Sequence, residues 1–258
     1  MGRVIALANQ KGGVGKTTTG INLAASLGRT RRRVLLIDMD PQGNATVGSG
    51  VRKGQGAGTY EVLLGSTGIA DVAVTGSGGF DVVPADEHLA GAQVELINEA
   101  GRDRRLREAI DKVRDNYDYI LIDCPPSLNL LTVNALVAAD AVLVPLQCEF
   151  FALEGLSQLL LTVRELRQTA NPGLRVEGVL LTMHDRRNNL SQQVERDARE
   201  TLGNLVFRTV IPRNVRLSEA PSYAIPGLIY DPGSSGARAY RAFAREFLKA
   251  DCLELQEG

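Results

Sequence analysis

The feature that most constrains this chain is a glycine-rich segment between an apolar run and a helical pattern near its N-terminus. The apolar run covers residues 4–8, the segment at 11–18 reads Lys-Gly-Gly-Val-Gly-Lys-Thr-Thr, and a helical pattern follows at 21–27. A strand, a glycine-rich loop and a helix in this order let backbone N–H groups turn inward and hold phosphate oxygens at the positive end of the helix. The segment therefore predicts a phosphate-binding loop.

Two side chains of this loop have the chemistry that a nucleotide site requires. Lys16 lies where a lysine reaches the β- and γ-phosphates, and Thr17 can offer its hydroxyl to Mg²⁺. The general pattern G-x-x-x-x-G-K-[ST] has a glycine where this chain has Gln10, and this chain adds Lys11 before the glycines. This deviant form resembles the loop of the ParA/MinD group of ATPases, whereas the alternative is a glycine-rich turn with two solvated lysines. The predicted nucleotide-binding residues of the loop are Lys11, Gly12, Gly13, Val14, Gly15, Lys16, Thr17 and Thr18.

Two carboxylates follow the second apolar strand, at residues 34–37. Asp38 and Asp40 lie at its carboxyl end, where ligands bind in open α/β sheets and where a carboxylate can hold Mg²⁺ through water or orient the attacking water. The sequence Asp-Met-Asp-Pro-Gln-Gly-Asn at 38–44 resembles the ParA/Soj chromosome- and plasmid-partitioning ATPases more than MinD or the nitrogenase iron protein. The resemblance implies that Asp40 is needed for hydrolysis and that Lys11 reaches the partner's ATP across a nucleotide sandwich dimer. Asp38 is either part of the site or an ordinary turn residue.

A third motif has the pattern of a strand that ends in a metal-associated carboxylate. Residues 119–122 are Tyr-Ile-Leu-Ile, Asp123 follows, and Pro125 and Pro126 fix the turn after it. Such a strand is common by chance, but its position downstream of a phosphate-binding loop predicts that Asp123 lies near the Mg²⁺ ion. The predicted metal-associated residues are Thr17, Asp40 and Asp123.

Strand-like and helical patterns alternate along the whole chain. This alternation predicts an α/β fold with one doubly wound, mainly parallel sheet and helices on both faces. No break is long enough for a domain boundary, so we expect a single P-loop ATPase domain at residues 1–250 and a short acidic C-terminal tail at 251–258. Further strands are expected at 80–84, 141–146 and 176–183, helices at 101–114, 153–167 and 234–249, and loops at 48–58 and 75–79.

Arginines are concentrated late in the chain. Residues 175–216 contain eight arginines, no lysine and five acidic residues, and the planar guanidinium suits contacts with nucleic-acid phosphates. By resemblance, Arg187 and Arg216 occupy positions at which ParA/Soj proteins bind DNA without sequence specificity, and Pro212 and Asn214 occupy positions that hold the adenine ring. The alternative for each arginine is a solvated, salt-bridged face. The basic residues of the last helix suit a DNA-facing surface and a plain amphipathic face equally well.

Composition disfavours several functional classes. The net charge is −1, so any DNA contact has to come from a local patch rather than from a basic field over the whole protein. The three cysteines form no CxxC pair, which argues against a zinc site or a disulfide framework. The sequence has no apolar stretch long enough to span a membrane and no pattern of a signal peptide. We therefore expect a cytoplasmic protein without a membrane partner, and the ParA/Soj resemblance implies that it is nucleoid-associated.

Together these motifs predict a partition ATPase that is switched by nucleotide. The resemblance implies that ATP and Mg²⁺ join two subunits into a homodimer, that the dimer binds non-specific double-stranded DNA, and that a ParB/Spo0J-type centromere-binding protein stimulates slow hydrolysis. The principal alternative is a MinD-like membrane-cycling ATPase, which the acidic C-terminal residues disfavour. An electron-transfer ATPase would need cysteines that ligate a cluster, and a scaffold without hydrolysis is disfavoured by Lys16, Asp40 and Asp123.

Overall fold

The computed structural model describes the backbone of residues 1–150 and 152–257, and the side chains of these residues except 153, 154 and 251–257. The strands are β1 (Arg3–Leu7), β2 (Val34–Asp38), β3 (Val74–Thr75), β4 (Asp81–Val83), β5 (Tyr119–Asp123), β6 (Ala141–Gln147) and β7 (Arg175–Thr182). The helices are α1 (Lys16–Gly28), α2 (Asn44–Gly48), α3 (Thr59–Leu64), α4 (Ile69–Val72), α5 (Leu89–Glu95), α6 (Arg105–Asp111), α7 (Leu130–Ala138), α8 (Ala152–Gln168), α9 (Asn189–Leu202), α10 (Val215–Glu219), α11 (Gly227–Tyr230) and α12 (Ser235–Glu257). Short 3₁₀ turns cover Arg114–Asn116, Gly203–Leu205 and Ala220–Tyr223.

One sheet contains the seven strands of the described residues, in the order β3-β4-β2-β5-β1-β6-β7. Neighbouring strands are parallel throughout, except that β3 pairs antiparallel with β4 at the edge. Parallel neighbours require long crossover connections, and helices supply them. The prediction of an α/β fold with one doubly wound, mainly parallel sheet is confirmed.

Helices cover both faces of this sheet. On one face, Leu23 of α1 packs in a cluster with Tyr240 and Phe243 of α12. On the other face, Leu106 of α6 and Leu136 of α7 belong to a second cluster, together with residues from α3 and α8. Because both faces are covered, β2 and β5 are buried along their whole length, which explains why their sequences are almost continuously apolar.

The boundaries of three elements differ from the sequence-based expectation. The helix expected over 101–114 begins only at Arg105, since Gly101, with φ of +70°, turns the chain before it. Strand β3 includes Thr75, which the sequence assigns to a loop, because pairing with β4 satisfies its backbone. The last helix continues to Glu257 instead of ending near residue 249. The division into a domain and an acidic tail at 251–258 stays a prediction.

The strand order brings the three sequence motifs together. Strand β5 lies between β1 and β2, and the register pairs Asp123 with Leu7 on one side and with Asp38 on the other. The loop after β1 and the carboxylates at the ends of β2 and β5 therefore meet at the carboxyl edge of the sheet, where open α/β sheets bind ligands.

Candidate active site

The loop between β1 and α1 has the backbone geometry of a phosphate cradle. Gly13 and Gly15 have φ of +76° and +88°, in the left-handed region that side chains with a Cβ rarely adopt. Gly15 directly precedes α1, and its carbonyl accepts a hydrogen bond from Thr19 N at 2.9 Å. The first N–H groups of a helix have no partner within it and attract anions. The loop can therefore surround phosphate oxygens with backbone donors.

Side chains on neighbouring strands hold this loop in place. Asn9 donates from Nδ2 to the Pro145 carbonyl at 2.8 Å, and its Oδ1 accepts from Lys11 N at 3.0 Å. Thr182, at the end of β7, donates from its hydroxyl to the Val14 carbonyl at 2.8 Å. These contacts tie the loop to β6 and β7. Sequence reasoning missed both residues, because the strand order that makes them neighbours has no local signal.

Lys16 is a buried cation at the start of α1. Its Nζ donates to the Lys11 carbonyl at 3.1 Å. Burial lowers the pKa of the Lys16 ammonium, and the negative charge of Asp123 is the largest influence in the opposite direction. A phosphate group close to Nζ would favour the charged form and offset this cost of burial.

Asp123 is a fully buried carboxylate next to the phosphate-binding loop. Its Oδ2 accepts a hydrogen bond from the Thr17 hydroxyl at 2.7 Å, whereas its Oδ1 has no hydrogen-bond partner among the described residues. Burial, followed by the charge of Asp38, raises the pKa of the Asp123 carboxyl well above its usual range. An orphaned buried oxygen beside a threonine hydroxyl fits Mg²⁺, which is held by few protein ligands and keeps several waters.

The Asp38 carboxylate bonds to the loop after β2 and does not face the pocket in which a metal ion would bind. Its oxygens accept from Asp40 N at 3.1 Å and from the amide and the hydroxyl of Thr46 at 2.8 and 2.7 Å. Burial raises the pKa of the Asp38 carboxyl to about 6. Asp38 thus holds the loop after β2 and lies behind the residues that line the pocket.

Asp40 lies in the wall of an open pocket of about 510 Å³ above the loop. Its Oδ1 accepts from Gln42 N at 3.0 Å, which orients the carboxylate within the turn after β2. The structure thus brings Asp40 to the same pocket as Lys16 and Thr17. The pocket is lined by Gly12, Gly13, Gly15, Lys16, Thr17, Thr18, Ile21, Asp40, Gln42, Asn44, Val47, Gly48, Pro126, Met183 and Pro221.

Lys11 forms an ion pair outside the lining of the phosphate-binding pocket of its own chain. Its ammonium forms an ion pair with Glu149, which follows β6, and 42% of the Lys11 side chain is exposed. The Lys11 side chain is not among those that line the pocket. Sequence reasoning missed Glu149, since nothing in its local sequence points to a partner so distant in the chain.

The described residues contain no group of three or more His, Cys, Asp or Glu side chains that could hold a metal ion by themselves. A magnesium site at Thr17, Asp40 and Asp123 would therefore depend on water and on a ligand's oxygens, which is the usual form of nucleotide-bound Mg²⁺. In the same part of the chain, no helix combines the length and the apolar character that crossing a membrane requires.

Comparison with known proteins decides between the families that use such a loop. The family described as "AAA domain" matches residues 2–176. The chromosome partitioning protein ParA of Caulobacter vibrioides is 55% identical over 253 residues, which cover 96% of this chain and 95% of that protein. The sporulation initiation inhibitor protein Soj of Bacillus subtilis is 52% identical and covers 95% of this chain and 98% of its own. The chain belongs to the ParA/Soj family of chromosome-partitioning ATPases.

Solved structures confirm the fold of this ParA/Soj chain. The cobyrinic acid a,c-diamide synthase from Mycobacterium smegmatis, with bound ATP analogue and magnesium, has a TM-score of 0.85 at 40% identity, covering 96% of this chain and 95% of that one. The cell division ATPase MinD from Pyrococcus furiosus has a TM-score of 0.80 at 28% identity, covering 96% of this chain and 99% of its own. The sequence-based recognition of the ParA/MinD group is confirmed.

Two residues that ParA/Soj resemblance assigns to adenine lie beside the pocket rather than in its wall. Pro212 lines a neighbouring groove. Asn214 caps α10, with Oδ1 accepting from Leu217 N at 3.2 Å and Nδ2 donating to the Ser235 hydroxyl at 2.8 Å. A contact of either residue with adenine stays a prediction.

The two ParA/Soj-type arginines have different surroundings. Arg187 is 91% exposed and pairs with Asp185 at 3.3 Å. Arg216 contacts two carboxylates, Glu219 at 2.9 Å and Asp231 at 3.6 Å. Arg187, with other arginines, lines a groove of about 600 Å³, and Arg216 is not part of its wall. We call this surface the arginine groove, and it is lined by His184, Asp185, Arg186, Arg187, Val210, Pro212, Arg213, Val215, Ser235, Arg238 and Ala239.

Proposed function

We propose that this ParA/Soj protein is a partition ATPase whose ATP-bound homodimer binds DNA without sequence specificity and is released by hydrolysis. The observation that carries the proposal is the joint placement of Lys16, Thr17 and Asp40 around one pocket, with Asp123 directly behind Thr17. Relatives over nearly the full length are named chromosome-partitioning proteins. A structural neighbour holds ADP and magnesium, which supports ATP and Mg²⁺ as the ligands.

The residues around the pocket have separate roles in phosphoryl transfer. The backbone of the loop and the Lys16 ammonium bind the phosphates and stabilise the charge that develops on them. Asp40 orients the water that attacks the γ-phosphate, because its carboxylate lines the pocket and is itself held by Gln42 N. Thr17 and Asp123 would hold Mg²⁺, directly or through water, and this ion would neutralise phosphate charge when it is bound.

The second lysine supports a dimer. Lys11 is half-exposed and pairs with Glu149 in the single chain, so its ammonium is available to a partner once this ion pair opens. In the proposed dimer each Lys11 completes the opposite nucleotide site. Because two subunits then present two arginine surfaces, affinity for DNA rises through avidity.

The arginine groove supports the DNA contact. Four arginines and one aspartate line it, so the groove has a net positive charge although the whole chain is close to neutral. Arginine forks suit phosphate contacts, which carry no sequence information. We include Arg186, Arg213 and Arg238 with Arg187 as DNA-contacting residues.

A partner protein and a cellular location complete the proposal. A ParB/Spo0J-type centromere-binding protein would stimulate a slow intrinsic hydrolysis and release the dimer from DNA. The protein would then be cytoplasmic and associated with the nucleoid while ATP is bound.

The deciding experiment measures binding to non-specific duplex DNA without nucleotide, with ADP and with ATP. We expect binding with ATP alone. Between about 50 and 200 mM salt, affinity should fall by roughly a hundredfold if one groove neutralises four phosphates, and by roughly ten-thousandfold if both grooves of the dimer do so. Absence of DNA binding in every state would contradict the DNA half of the proposal, and sedimentation with liposomes and ATP would then test the MinD-like alternative.

A further inference from the structure

The turn that carries Asp40 is held by one buried carboxylate. Asp38 has no exposed surface. Its Oδ1 accepts from Asp40 N at 3.1 Å, and its Oδ2 accepts from Thr46 N at 2.8 Å and from the Thr46 hydroxyl at 2.7 Å. The donors lie on either side of the turn, so the Asp38 side chain closes residues 39–45 into a fixed loop.

Thr46 connects this carboxylate to the neighbouring strand. Its hydroxyl donates to Asp38 and accepts from Ala85 N at 2.9 Å, just beyond β4. A second buried hydroxyl, that of Thr59, donates to the Asp38 carbonyl at 2.7 Å. A buried network whose donors and acceptors are satisfied is rigid and specifies one arrangement.

We propose that Asp38 and Thr46 are positioning residues that fix the Asp40 carboxylate against the phosphate-binding loop. Asp40 is at the exposed side of the turn, where its carbonyl accepts from Gly43 N at 2.8 Å and its Oδ1 accepts from Gln42 N at 3.0 Å. These contacts are internal to the turn. The bond from Asp40 N to Asp38 joins the turn to the end of the sheet, and a misplacement of about 1 Å at a reacting group can cost a hundredfold in rate.

The first test compares Thr46→Val with Thr46→Ser. Valine has the shape of threonine but neither donates to Asp38 nor accepts from Ala85 N, whereas serine keeps the hydroxyl. We expect Thr46→Val to lower kcat for ATP hydrolysis by about ten- to a hundredfold, with the Kd for ATP within about threefold of wild type. Thr46→Ser should restore most of the turnover. This inference rests on the proposed ATPase function, so wild-type turnover is measured first.

The second test needs no turnover. Amide hydrogen exchange of peptides that cover residues 39–45 should be faster in Thr46→Val than in wild type by about tenfold or more, and close to wild type in Thr46→Ser. If the wild type does not hydrolyse ATP but exchange is still faster in Thr46→Val than in wild type, the positioning role would be supported and the ATPase overturned. Unchanged exchange would overturn the positioning role even if the wild type hydrolyses ATP.

A control separates positioning from a general loss of stability. Tyr240→Phe removes a buried hydrogen bond between α12 and the Thr19 hydroxyl of α1, neither of which takes part in the network around Asp38, so its Tm should fall without a change in kcat. Asp38→Asn is a second variant of the network. In either orientation its amide nitrogen would face a donor, Asp40 N or those of Thr46, so this variant should behave as Thr46→Val does. Equal losses of kcat in Thr46→Val, Thr46→Ser and Tyr240→Phe would overturn the proposal.

Discussion

Lys16 is a buried cation whose surroundings favour the binding of an anionic ligand. The ammonium is buried at the N-terminus of α1, which lowers its pKa, and it donates to a backbone carbonyl of its own loop. Phosphate oxygens would provide the negative charge that the surroundings only partly supply. The charged form of Lys16 is therefore disfavoured by burial in the free protein and would be stabilised when phosphate is bound.

Replacement of this residue gives the first prediction. Lys16→Ala should raise the Kd for ATP by about a hundredfold or more, since charge-assisted hydrogen bonds contribute about 1.5–3 kcal/mol each. Isothermal titration calorimetry measures the effect, with Tm as the control for folding. An unchanged Kd would remove the phosphate-binding loop from the proposed function.

Replacement of Asp40 should affect hydrolysis rather than the binding of ATP. Asp40→Ala should keep ATP affinity within about threefold and lower the rate of hydrolysis by about a hundredfold or more, because the carboxylate orients water rather than ATP. The variant should therefore accumulate as the ATP-bound dimer, which light scattering with excess ATP detects. Wild-type turnover in this variant would exclude Asp40 from the reaction.

At the scale of elements, the end of β7 connects the nucleotide pocket to the arginine groove. Met183 lines the pocket and has φ of +49°, which is unusual for a residue with a side chain. His184, the next residue, donates from its amide to Ile211 and accepts at its carbonyl from Arg213 N. Arg187, which lines the groove, follows His184 by three residues. A ligand that moves Met183 would act on the groove through only a few residues.

Charge reversal in the groove tests its part in DNA binding. Arg187→Glu should weaken binding of the ATP-bound protein to DNA by about tenfold or more and flatten the salt dependence, because at least one phosphate contact is lost. ATP-dependent dimerisation should not change. Arg107→Glu reverses the charge of another exposed arginine, on α6, and is the matched control. Both variants change the net charge equally, so Arg107→Glu should bind DNA more tightly than Arg187→Glu and close to wild type.

Arg216 should contribute less than Arg187 to the same surface. Its guanidinium already contacts Glu219 and Asp231, so a phosphate would have to compete with two carboxylates. Truncation compares the two sites without reversing a charge, and we expect Arg187→Ala to lose more DNA affinity than Arg216→Ala in fluorescence anisotropy with ATP. The reverse order would place the main contact on α10.

Contiguous motifs were predictable from sequence, and contacts between distant segments were not. The phosphate-binding loop, Asp40 and Asp123 each follow an apolar strand, and this local pattern is enough to place them at one edge of a parallel sheet. Asn9, Thr46 and Glu149 have no such pattern. Their partners become neighbours only through the order of the strands. A buried threonine such as Thr46 cannot be distinguished from an ordinary core residue by sequence, because only the structure shows its hydrogen bonds.

At the scale of the whole molecule, the charge of Lys11 is neutralised within a single subunit by its ion pair with Glu149. Formation of the proposed dimer has to open this pair, so Lys11 changes partner from a carboxylate to a phosphate. The cost is modest, because exposed ion pairs are typically worth less than about 1 kcal/mol.

Removal of this lysine tests the dimer. Lys11→Ala should bind ATP but remain monomeric in light scattering, since neither subunit completes the other's site. Lys112→Ala, an exposed lysine after α6, is the control and should dimerise normally. A Lys11→Ala dimer of normal stability would show that this side chain is not the link between the subunits.

The position of β1 inside the sheet has a consequence for biosynthesis. This strand is translated before the other six strands of the described residues, yet it is flanked by β5 and β6, whose residues 119–123 and 141–147 leave the ribosome much later. Pairing between segments so far apart in sequence slows folding, because a long loop has to close first. The nucleotide site thus cannot exist on a nascent chain until β5 and β6 have emerged, and β1 has to be kept from non-native pairing until then.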